Sequence, residues 1–444
     1  MLFMAEDNPN DIIVAGRSPS DTKKFGTIGA ILLGKRYVQK EDKLEIGGNI
    51  YMDVSGAHVV FICGKRGGGK SYTMGVVAEG FTLLDDDIRK KLSLILLDTM
   101  GVYWPMKHPN QEEKALLEPY GLKPQGVDIK IYTPFKFYEL YKKQGIPTDF
   151  PFTLDTSELT EDDWCQAFRQ DKYSAIGIFI AKILTRLRFK KPKYTIPDIV
   201  EEVKADPEEE KVVKNAVINM FEMADGWGLF SDHGTPLHEL AAGGQVTVLD
   251  VSCYATMAGG MEVKALVVGI VSMHLFVQRM EYRKGEEFNR MKFLENFFGN
   301  AEVKAEDDMP LVWLVIDEAH EFLPKQGENA ATQPLVTIMR EGRQPGISLI
   351  LATQQPGKIH TDVMTQSDVV LSHRITARLD VEALGMLAQS WMGEGMGRAL
   401  DRLPPLKGTA VLFDDANEKL FQIRVRPRIS WHGGASPSAM RKVD

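Results

Sequence analysis

The feature that most constrains this sequence is a glycine-rich segment between an apolar run and a helical pattern. The segment Gly64-Lys-Arg-Gly-Gly-Gly-Lys-Ser71 matches G-x-x-x-x-G-K-[ST]; it follows the apolar run 58–63 and precedes a predicted helix over 70–84. Glycines let successive backbone N–H groups turn toward a phosphate, and the helix N-terminus adds its positive dipole end. The sequence therefore predicts a nucleotide site at Gly64, Lys65, Arg66, Gly67, Gly68, Gly69, Lys70, Ser71 and Tyr72.

Two residues of this segment have distinct predicted roles. In this arrangement the lysine binds the β- and γ-phosphates, and the hydroxyl takes a Mg²⁺ position. We therefore expect ATP and Mg²⁺ as cofactors, with Lys70 in a catalytic role and Ser71 as a metal ligand. The alternative is a glycine-rich turn that contains a lysine by chance.

A second apolar run, 311–316, ends in the acidic pair Asp317-Glu318. An apolar strand that delivers Asp-Glu at its end is the Walker B arrangement. Asp317 is predicted to hold Mg²⁺, and Glu318 is predicted to polarise the attacking water as the catalytic base. The alternative is an acidic helix N-terminus, where carboxylates are also favoured. An Asp-Glu pair favours a hydrolysing motor over a kinase.

Further catalytic candidates flank the apolar run 347–353. Gln354 follows this run and is predicted to sense the γ-phosphate; the alternative is a polar strand end. Arg343, with Arg340 beside it, precedes the run and is a candidate for an arginine supplied to a neighbouring subunit's ATP. Both arginines fit equally well as residues that complement a helix dipole. Arg374 is a weaker candidate of the same type.

The apolar runs predict an α/β fold. Short continuous Val/Ile/Leu runs that alternate with helical patterns are typical of a parallel sheet covered on both faces. We predict a RecA-like P-loop NTPase core with a mainly parallel sheet, a small N-terminal β module and a helical insertion. The predicted domains are a β-barrel-like module (1–57), the core (58–134 and 241–430), the insertion (135–240) and a C-terminal tail (431–444). The charged segment 284–308 is predicted to be an exposed connection.

Composition and charge restrict the class of protein. The 444 residues carry a net charge of −8, which argues against a protein that coats nucleic acid but allows a confined basic channel. The cysteines, Cys63, Cys165 and Cys253, are too widely spaced for a disulfide framework or a zinc site. The N-terminus shows no signal peptide, and the longest apolar run, 265–277, is shorter than the roughly 20 residues that span a bilayer. We therefore expect a cytoplasmic protein with no membrane partner.

Three long segments resemble the HerA branch of the HerA/FtsK motor ATPases. They are HVVFICGKRGGGKSYTMGVVAEG, LVWLVIDEAHEFLP and REGRQPGISLILATQQPGKIHTDVMTQSDVVLSHRI. The resemblance covers mainly 45–105 and 245–430. It implies a homo-hexameric ring that pumps double-stranded DNA through a central pore. It also implies a protein partner, either a NurA-like nuclease, as in archaeal DNA end resection, or another effector, as in phage defence.

The resemblance supports the same site residues and adds two points. It implies nucleotide binding at Gly64, Gly69, Lys70 and Ser71, catalysis at Asp317 and Glu318, a sensor at Gln354 and a trans arginine at Arg343. Asp98 falls where the family shows an Asp-Pro-x-Gly-Glu-Tyr turn, with Val102 in the glutamate position. The segment 424–434 is similar to a C-terminal family segment that reaches a neighbouring subunit.

Three functions remain open at this point. The first is a ring-forming, Mg²⁺-dependent ATPase that translocates double-stranded DNA. The second is a scaffold or regulatory NTPase ring that organises an effector without moving DNA. The third is a motor for protein substrates or secretion of the VirB4/TraG type, which the expected lack of a membrane segment disfavours.

Overall fold

The computed structural model describes residues 12–40, 43–295, 309–387 and 395–434. The strands are β1 (Ile13–Ala15), β2 (Ala30–Lys40), β3 (Lys43–Asp53), β4 (Val59–Cys63), β5 (Leu92–Asp98), β6 (Ile129–Pro134), β7 (Phe150–Phe152), β8 (Leu154–Asp155), β9 (Phe230–Ser231), β10 (Val246–Asp250), β11 (Leu311–Ile316), β12 (Ile347–Thr353), β13 (Val369–His373), β14 (Thr409–Asp414) and β15 (Lys419–Val425). The helices are α1 (Pro19–Phe25), α2 (Lys70–Thr82), α3 (Asp86–Arg89), α4 (Lys114–Leu117), α5 (Phe135–Gln144), α6 (Glu161–Ala167), α7 (Ala175–Lys190), α8 (Ile196–Ala205), α9 (Lys211–Asp225), α10 (Leu237–Leu240), α11 (Gly260–Glu295), α12 (Thr332–Glu341), α13 (Thr361–Gln366), α14 (Arg378–Leu387) and α15 (Gly395–Asp401).

One large sheet organises the molecule. Its strand order is β1-β3-β2-β15-β14-β13-β4-β12-β11-β5-β10-β6-β7. Every neighbouring pair from β13 to β7 is parallel, whereas β13–β14, β14–β15, β15–β2 and β2–β3 are antiparallel. The predicted α/β fold with a mainly parallel sheet is confirmed. Because the central strands are parallel, their carboxyl ends meet at one edge, where ligands bind in such sheets.

Each central strand is apolar on both faces because both faces are covered. Leu97 and Ile316 belong to one buried cluster, and Leu96 and Val315 belong to the other. Side chains alternate along a strand, so consecutive apolar residues bury opposite faces of the sheet. Helix α2 packs on the second face, where Met74 joins the same cluster as Leu96.

The N-terminal strands extend this sheet instead of forming a separate barrel. Strand β2 pairs with β15, with Gly34 opposite Val425. A Cβ atom added to Gly34 would lie 2.0 Å from the carbonyl oxygen of Arg424, so the close pairing requires glycine. The described residues of this region, 12–40 and 43–57, are mainly β-strand, and these strands continue the large sheet rather than closing a barrel. The domain boundaries themselves stay a prediction.

The segment between β6 and β10 is mainly helical. These two strands pair directly in the sheet, and the chain between them forms α5 to α10 with three short strands. Trp164 is fully buried there; its ring centroid lies 5.5 Å from that of Phe168 and 4.9 Å from those of Phe221 and Phe230. These aromatic residues belong to, or pack against, the same buried cluster as Leu97 and Ile316, so the segment packs on that face of the sheet. Its assignment as an insertion stays a prediction.

Helix α11 continues further than the sequence predicts. The start of the expected exposed connection, 284–295, is helical, and Arg283 forms ion pairs with Glu286 and Glu287 one turn away. The rest of that connection, 296–308, and the tail residues 435–444 lie outside the described residues.

In the described part of the chain, one helical stretch, Gly260–Phe288, is long and apolar enough to cross a membrane. Because 67% of its most apolar window is buried inside the protein, it has the character of a core helix.

Candidate active site

The glycine-rich segment joins β4 to α2 at the carboxyl edge of the sheet. Gly67 and Gly69 have φ angles of +72° and +114°, which side chains other than glycine rarely adopt. A Cβ atom added to Gly64 would lie 2.6 Å from Cβ of His373, so this position has no room for a side chain. Lys65 and Arg66 are exposed, and the N–H of Gly68 donates to the carbonyl of Lys65 at 2.9 Å.

His373 packs against this loop, a role that no motif of the sequence indicates. The side chain is fully buried at the end of β13. Its Nδ1 lies 3.1 Å from the carbonyl oxygen of Thr409, which can only accept, so Nε2 accepts from the Thr73 hydroxyl at 2.9 Å. Burial lowers the pKa of His373 to about 4, which keeps the ring neutral. The one feature of the sequence that could have indicated this role is the position of His373 at the end of the apolar run that forms β13.

Lys70 is 5% exposed at the first position of α2. Its ammonium lies 3.5 Å from the carbonyl oxygen of Lys65, which is long for a hydrogen bond. Burial lowers the pKa of Lys70, while the carboxylates of Asp317 and Glu318 act in the opposite direction. A buried cation with weak local partners fits a site for anionic phosphates.

Ser71 and Asp317 meet directly beneath the loop. The Ser71 hydroxyl donates to Oδ2 of Asp317 at 2.8 Å, and the N–H of Glu318 donates to Oδ1 at 2.8 Å. Burial raises the pKa of Asp317, the charge of Glu318 raises it further, and the hydrogen bond from Ser71 opposes both. The sequence separates this hydroxyl and carboxylate by 246 residues, and the fold brings them into contact.

Glu318 has an unusual backbone conformation, and only one of its two carboxylate oxygens has a hydrogen-bond partner among the described residues. Its φ is +50°, in the left-handed region, which costs a residue with a side chain about 1 kcal/mol or more. The amide of Gln354 donates to Oε1 of Glu318. The other oxygen, Oε2, is buried and has no hydrogen-bond partner in the described part of the chain. Gln354 therefore lies beside the predicted base, because β12 is the strand next to β11.

The predicted arginines lie apart from one another. Arg343 is exposed before the first residue of β12, at the edge of the sheet opposite Lys70. Arg340 forms an ion pair with Asp362 at 2.5 Å. Arg374 is exposed next to the loop, where its carbonyl accepts from the N–H of Lys65 at 3.3 Å. Arg343 thus does not join the site of its own chain, and a role toward a neighbouring chain stays a prediction.

Tyr72 is tied to the C-terminal segment. Its hydroxyl donates to Glu113 and accepts from the N–H of Arg428 at 2.6 Å, and its ring meets His432 edge-on at 5.3 Å. A direct role in nucleotide binding stays a prediction for this residue.

The C-terminal segment packs on helix α2 of its own chain. Glu79, fully buried on α2, accepts from Arg426 at 2.8 Å and from Arg428 at 3.2 Å. It also accepts from the N–H groups of Ile429 and Ser430 and from the Ser430 hydroxyl. The resemblance implied a segment that reaches a neighbouring subunit, whereas residues 426–430 contact the helix that follows the loop.

The turn after β5 is built on a buried carboxylate pair. Asp98 accepts from the N–H groups of Met100, Gly101, Val102 and Tyr103, and it lies opposite Asp250 in the paired strand β10. Burial and the Asp250 carboxylate raise the pKa of Asp98 to about 7. Val102 contributes its backbone to this turn. Sequence reasoning missed Asp250, whose only signal was its place at the end of an apolar run.

These residues fit a nucleoside triphosphate with Mg²⁺. The loop has the glycines that close approach requires, and a buried ammonium lies at its end. The Ser71 hydroxyl and the Asp317 carboxylate lie within hydrogen-bond distance of each other, so both could bind the same hydrated metal ion. Oε2 of Glu318 has no partner among the described residues and can accept a hydrogen bond from water. Such a set can bind phosphates and direct water at the terminal phosphate.

Comparison with protein families gives two matches along the chain. A model described as "Helicase HerA, central domain" matches residues 48–265. A second model, described as "Zonular occludens toxin (Zot)", matches residues 287–389. The first match contains the glycine-rich loop and the Asp98 turn, and the second contains Asp317, Glu318 and Gln354.

Two curated proteins share sequence similarity. The chain is 21% identical over 363 residues to the "Probable DNA double-strand break repair helicase HerA" of Methanocaldococcus jannaschii, a match that covers 76% of this chain and 65% of the relative. It is 30% identical over 171 residues to the "DNA double-strand break repair helicase HerA" of Pyrococcus furiosus, covering 36% of this chain and 30% of the relative. The matches thus span less than two thirds of the length of either relative.

A solved structure shares the fold. VirB4 of Thermoanaerobacter pseudethanolicus superposes with a TM-score of 0.51 at 14% sequence identity, covering 90% of this chain and 96% of that chain. At this identity the similarity shows a common architecture and nothing about substrate.

Proposed function

We propose that this chain, which belongs to the HerA-like P-loop ATPases of the HerA/FtsK superfamily, hydrolyses ATP with Mg²⁺ and uses the energy to translocate double-stranded DNA. The observation that carries the catalytic part is the contact between Ser71 and Asp317 at 2.8 Å, with Glu318 next in the chain. Support for DNA as substrate comes from the two relatives, which are described as DNA double-strand break repair helicases.

The reaction follows from the residues around this contact. The Lys70 ammonium and the loop N–H groups other than those of Lys65 and Gly68 would bind the phosphates, and Ser71 and Asp317 would hold Mg²⁺. When bound, the ion neutralises charge on the phosphate oxygens. Glu318 accepts the proton of the attacking water as the new O–P bond forms and the bond to ADP breaks. Gln354 fixes the carboxylate of Glu318 through Oε1.

The wider assembly belongs to the same proposal. We expect a homo-hexameric ring with ATP between subunits, double-stranded DNA in a central pore and a cytoplasmic location. We also expect a partner, either a NurA-like nuclease or another effector, so that the motor acts in DNA end processing or in defence. The exposed position of Arg343, away from its own chain's site, is compatible with a role at a neighbour's ATP.

Two measurements test the proposal. Lys70→Ala should abolish ATP hydrolysis, while Lys211→Ala, which changes an exposed lysine of α9, should retain most of it. Equal activity of wild type and Lys70→Ala would refute the site. Duplex DNA should stimulate hydrolysis at low salt and lose this effect as salt rises, because phosphate contacts release counterions. Hydrolysis that is unchanged by duplex DNA would favour a scaffold ATPase that moves no DNA.

A further inference from the structure

Two buried polar atoms near the candidate active site have no hydrogen-bond partner in the ranges that the structure describes. They are the hydroxyl Oγ1 of Thr99 and the carboxylate Oε2 of Glu318. Thr99 is 1% exposed and directly follows β5. Because buried polar groups in proteins are almost always hydrogen-bonded, two unpaired atoms at neighbouring strand ends require an explanation.

The sheet places these two residues side by side. Strands β5 and β11 are parallel neighbours, and Leu97 pairs with Ile316 as the last residue pair of the ladder. Both belong to the same buried cluster and therefore lie on the same face of the sheet. The ladder ends at this pair, so Thr99 and Glu318, each two residues further along the chain, both lie at the carboxyl ends of neighbouring strands.

One carboxylate oxygen of Glu318, Oε2, is available for a hydrogen-bonded link to Thr99. Oε1 is held by the amide of Gln354. Nδ1 of His320 is 3.6 Å from Oε2, beyond hydrogen-bond distance, and it lies 3.0 Å from the hydroxyl of Thr353. The Thr99 hydroxyl can donate, and a carboxylate oxygen can accept two hydrogen bonds. One buried water with these two partners would satisfy both atoms.

We infer that Thr99 is a positioning residue for Glu318, linked to Oε2 through one bound water while Gln354 holds Oε1. This inference rests on the proposed ATPase function. Support at both oxygens fixes the rotation of the carboxylate and leaves a lone pair on Oε2 for the proton of the attacking water. A base that is free to rotate spends less time within hydrogen-bond reach of that proton, so the chemical step slows while nucleotide binding is unaffected.

The first test compares two substitutions of Thr99 in the full-length chain. Thr99→Val keeps the shape and removes the hydroxyl; we expect kcat to fall about tenfold, since one hydrogen bond to a charged group is lost. KM for ATP and Kd for a non-hydrolysable ATP analogue should change less than about twofold. Thr99→Ser keeps the hydroxyl and should keep kcat within about threefold of wild type. An unchanged kcat in Thr99→Val, or equal losses in both variants, would overturn the inference.

Ser93 provides a matched control on the same strand. Its hydroxyl is also buried and unpaired, but it lies near the opposite end of β5. Ser93→Ala should therefore leave kcat unchanged. A loss equal to that of Thr99→Val would attribute the effect to general packing of β5 and contradict the inference.

A second test needs no turnover and separates this inference from the proposed function. Denaturation midpoints of Thr99→Val, Glu318→Gln and the double variant should be non-additive, whereas Ser93→Ala with Glu318→Gln should be additive. Additive midpoints for Thr99 and Glu318 would overturn the inference. Wild-type protein without ATPase activity would refute the proposed function, and the midpoints would still decide whether the two residues are coupled.

Discussion

At the scale of single residues, Glu79 links the helix after the glycine-rich loop to the C-terminal segment. Burial disfavours its charged form, but Arg426, Arg428 and the hydrogen bonds from Ser430 outweigh burial and lower the pKa of Glu79. Both arginines are themselves buried to at least 99%. The three side chains thus form a charged cluster with little access to water, in which each charge depends on the others.

We predict that Glu79→Gln destabilises the protein by about 3–5 kcal/mol, because it leaves two buried guanidinium groups without their carboxylate. The free energy of unfolding from denaturant titration checks this. Glu201→Gln, which changes an exposed glutamate of α8, should stay within about 0.5 kcal/mol of wild type. Similar small effects of both substitutions would contradict the assigned role of the cluster.

His58 gives the stability of the protein a defined pH dependence. Its ring lies between Asp368, 2.6 Å from Nδ1, and Asp53, 3.2 Å from Nε2. Burial alone would lower the pKa of His58, but the hydrogen bonds and charges of these carboxylates raise it from 6.5 to about 9. The charged ring therefore stabilises the fold fully below about pH 6.5, and this contribution is lost as the pH rises through 9.

The expected loss is on the order of 3 kcal/mol, from about 1.4 kcal/mol per pKa unit. Free energies of unfolding of wild type and His58→Gln, measured at intervals from pH 6 to pH 10, check this. The difference between the two proteins should be largest at pH 6 and shrink toward pH 10. A difference that is constant over this range would show that the ring does not titrate as described.

The sequence was sufficient to predict that Lys70, Ser71, Asp317 and Glu318 lie together, but it did not predict what supports them. Arg343, which was also predicted to be catalytic, lies apart from them in its own chain. Lys70, Ser71 and Asp317 follow from patterns whose chemistry requires them to converge, and the structure brings them together. Thr99 and Asp250 have no such pattern, because a single polar residue at a strand end is informative only once the neighbouring strand is known. Strand order is set by long-range packing, which periodicity does not contain.

At the scale of elements, the apolar runs predict the central strands closely. The run 347–353 coincides with β12, and the run 311–316 coincides with β11. These strands are covered on both faces, so their sequences carry a continuous signal. The antiparallel strands β14 and β15 were not predicted. Polar residues such as Gln422 and Arg424 interrupt the apolar pattern of β15, and its pairing with β2 joins residues almost 400 positions apart.

Gly34 tests whether the N-terminal strands belong to the same sheet. Gly34→Val places a side chain against the carbonyl of Arg424, so we expect β2 to separate from β15, with a loss of about 2 kcal/mol or more of unfolding free energy. Limited proteolysis should then cut the N-terminal segment faster than in wild type. Gly285→Ala, in open space on helix α11, should stabilise the protein by up to about 1 kcal/mol. A stable, protease-resistant Gly34→Val variant would contradict the pairing of β2 with β15.

At the scale of the whole molecule, the candidate site and Arg343 lie at opposite ends of the parallel strands. Lys70, Asp317 and Gln354 lie at the carboxyl ends of the strands, whereas Arg343 lies at the amino end of β12. Since β12 has seven residues at about 3.3 Å each, the two edges are roughly 20 Å apart. An arginine at one edge can serve ATP only at the opposite edge of another copy, so this role requires assembly.

Mixing of inactive subunits tests that requirement. Glu318→Gln subunits lack the base but retain Arg343, and Arg343→Ala subunits lack the arginine but retain the base. If ATP binds between subunits, each variant alone should hydrolyse ATP poorly, and rings that contain both should regain part of the activity, because some sites combine an intact base with a neighbour's intact arginine. Arg340→Ala provides the control, since its guanidinium is already paired with Asp362, and alone it should keep most of the activity. Native mass spectrometry should confirm that mixed rings form. If such rings stay inactive, Arg343 has no role at a neighbour's ATP; full activity of a monomeric wild-type chain would exclude a site shared between subunits.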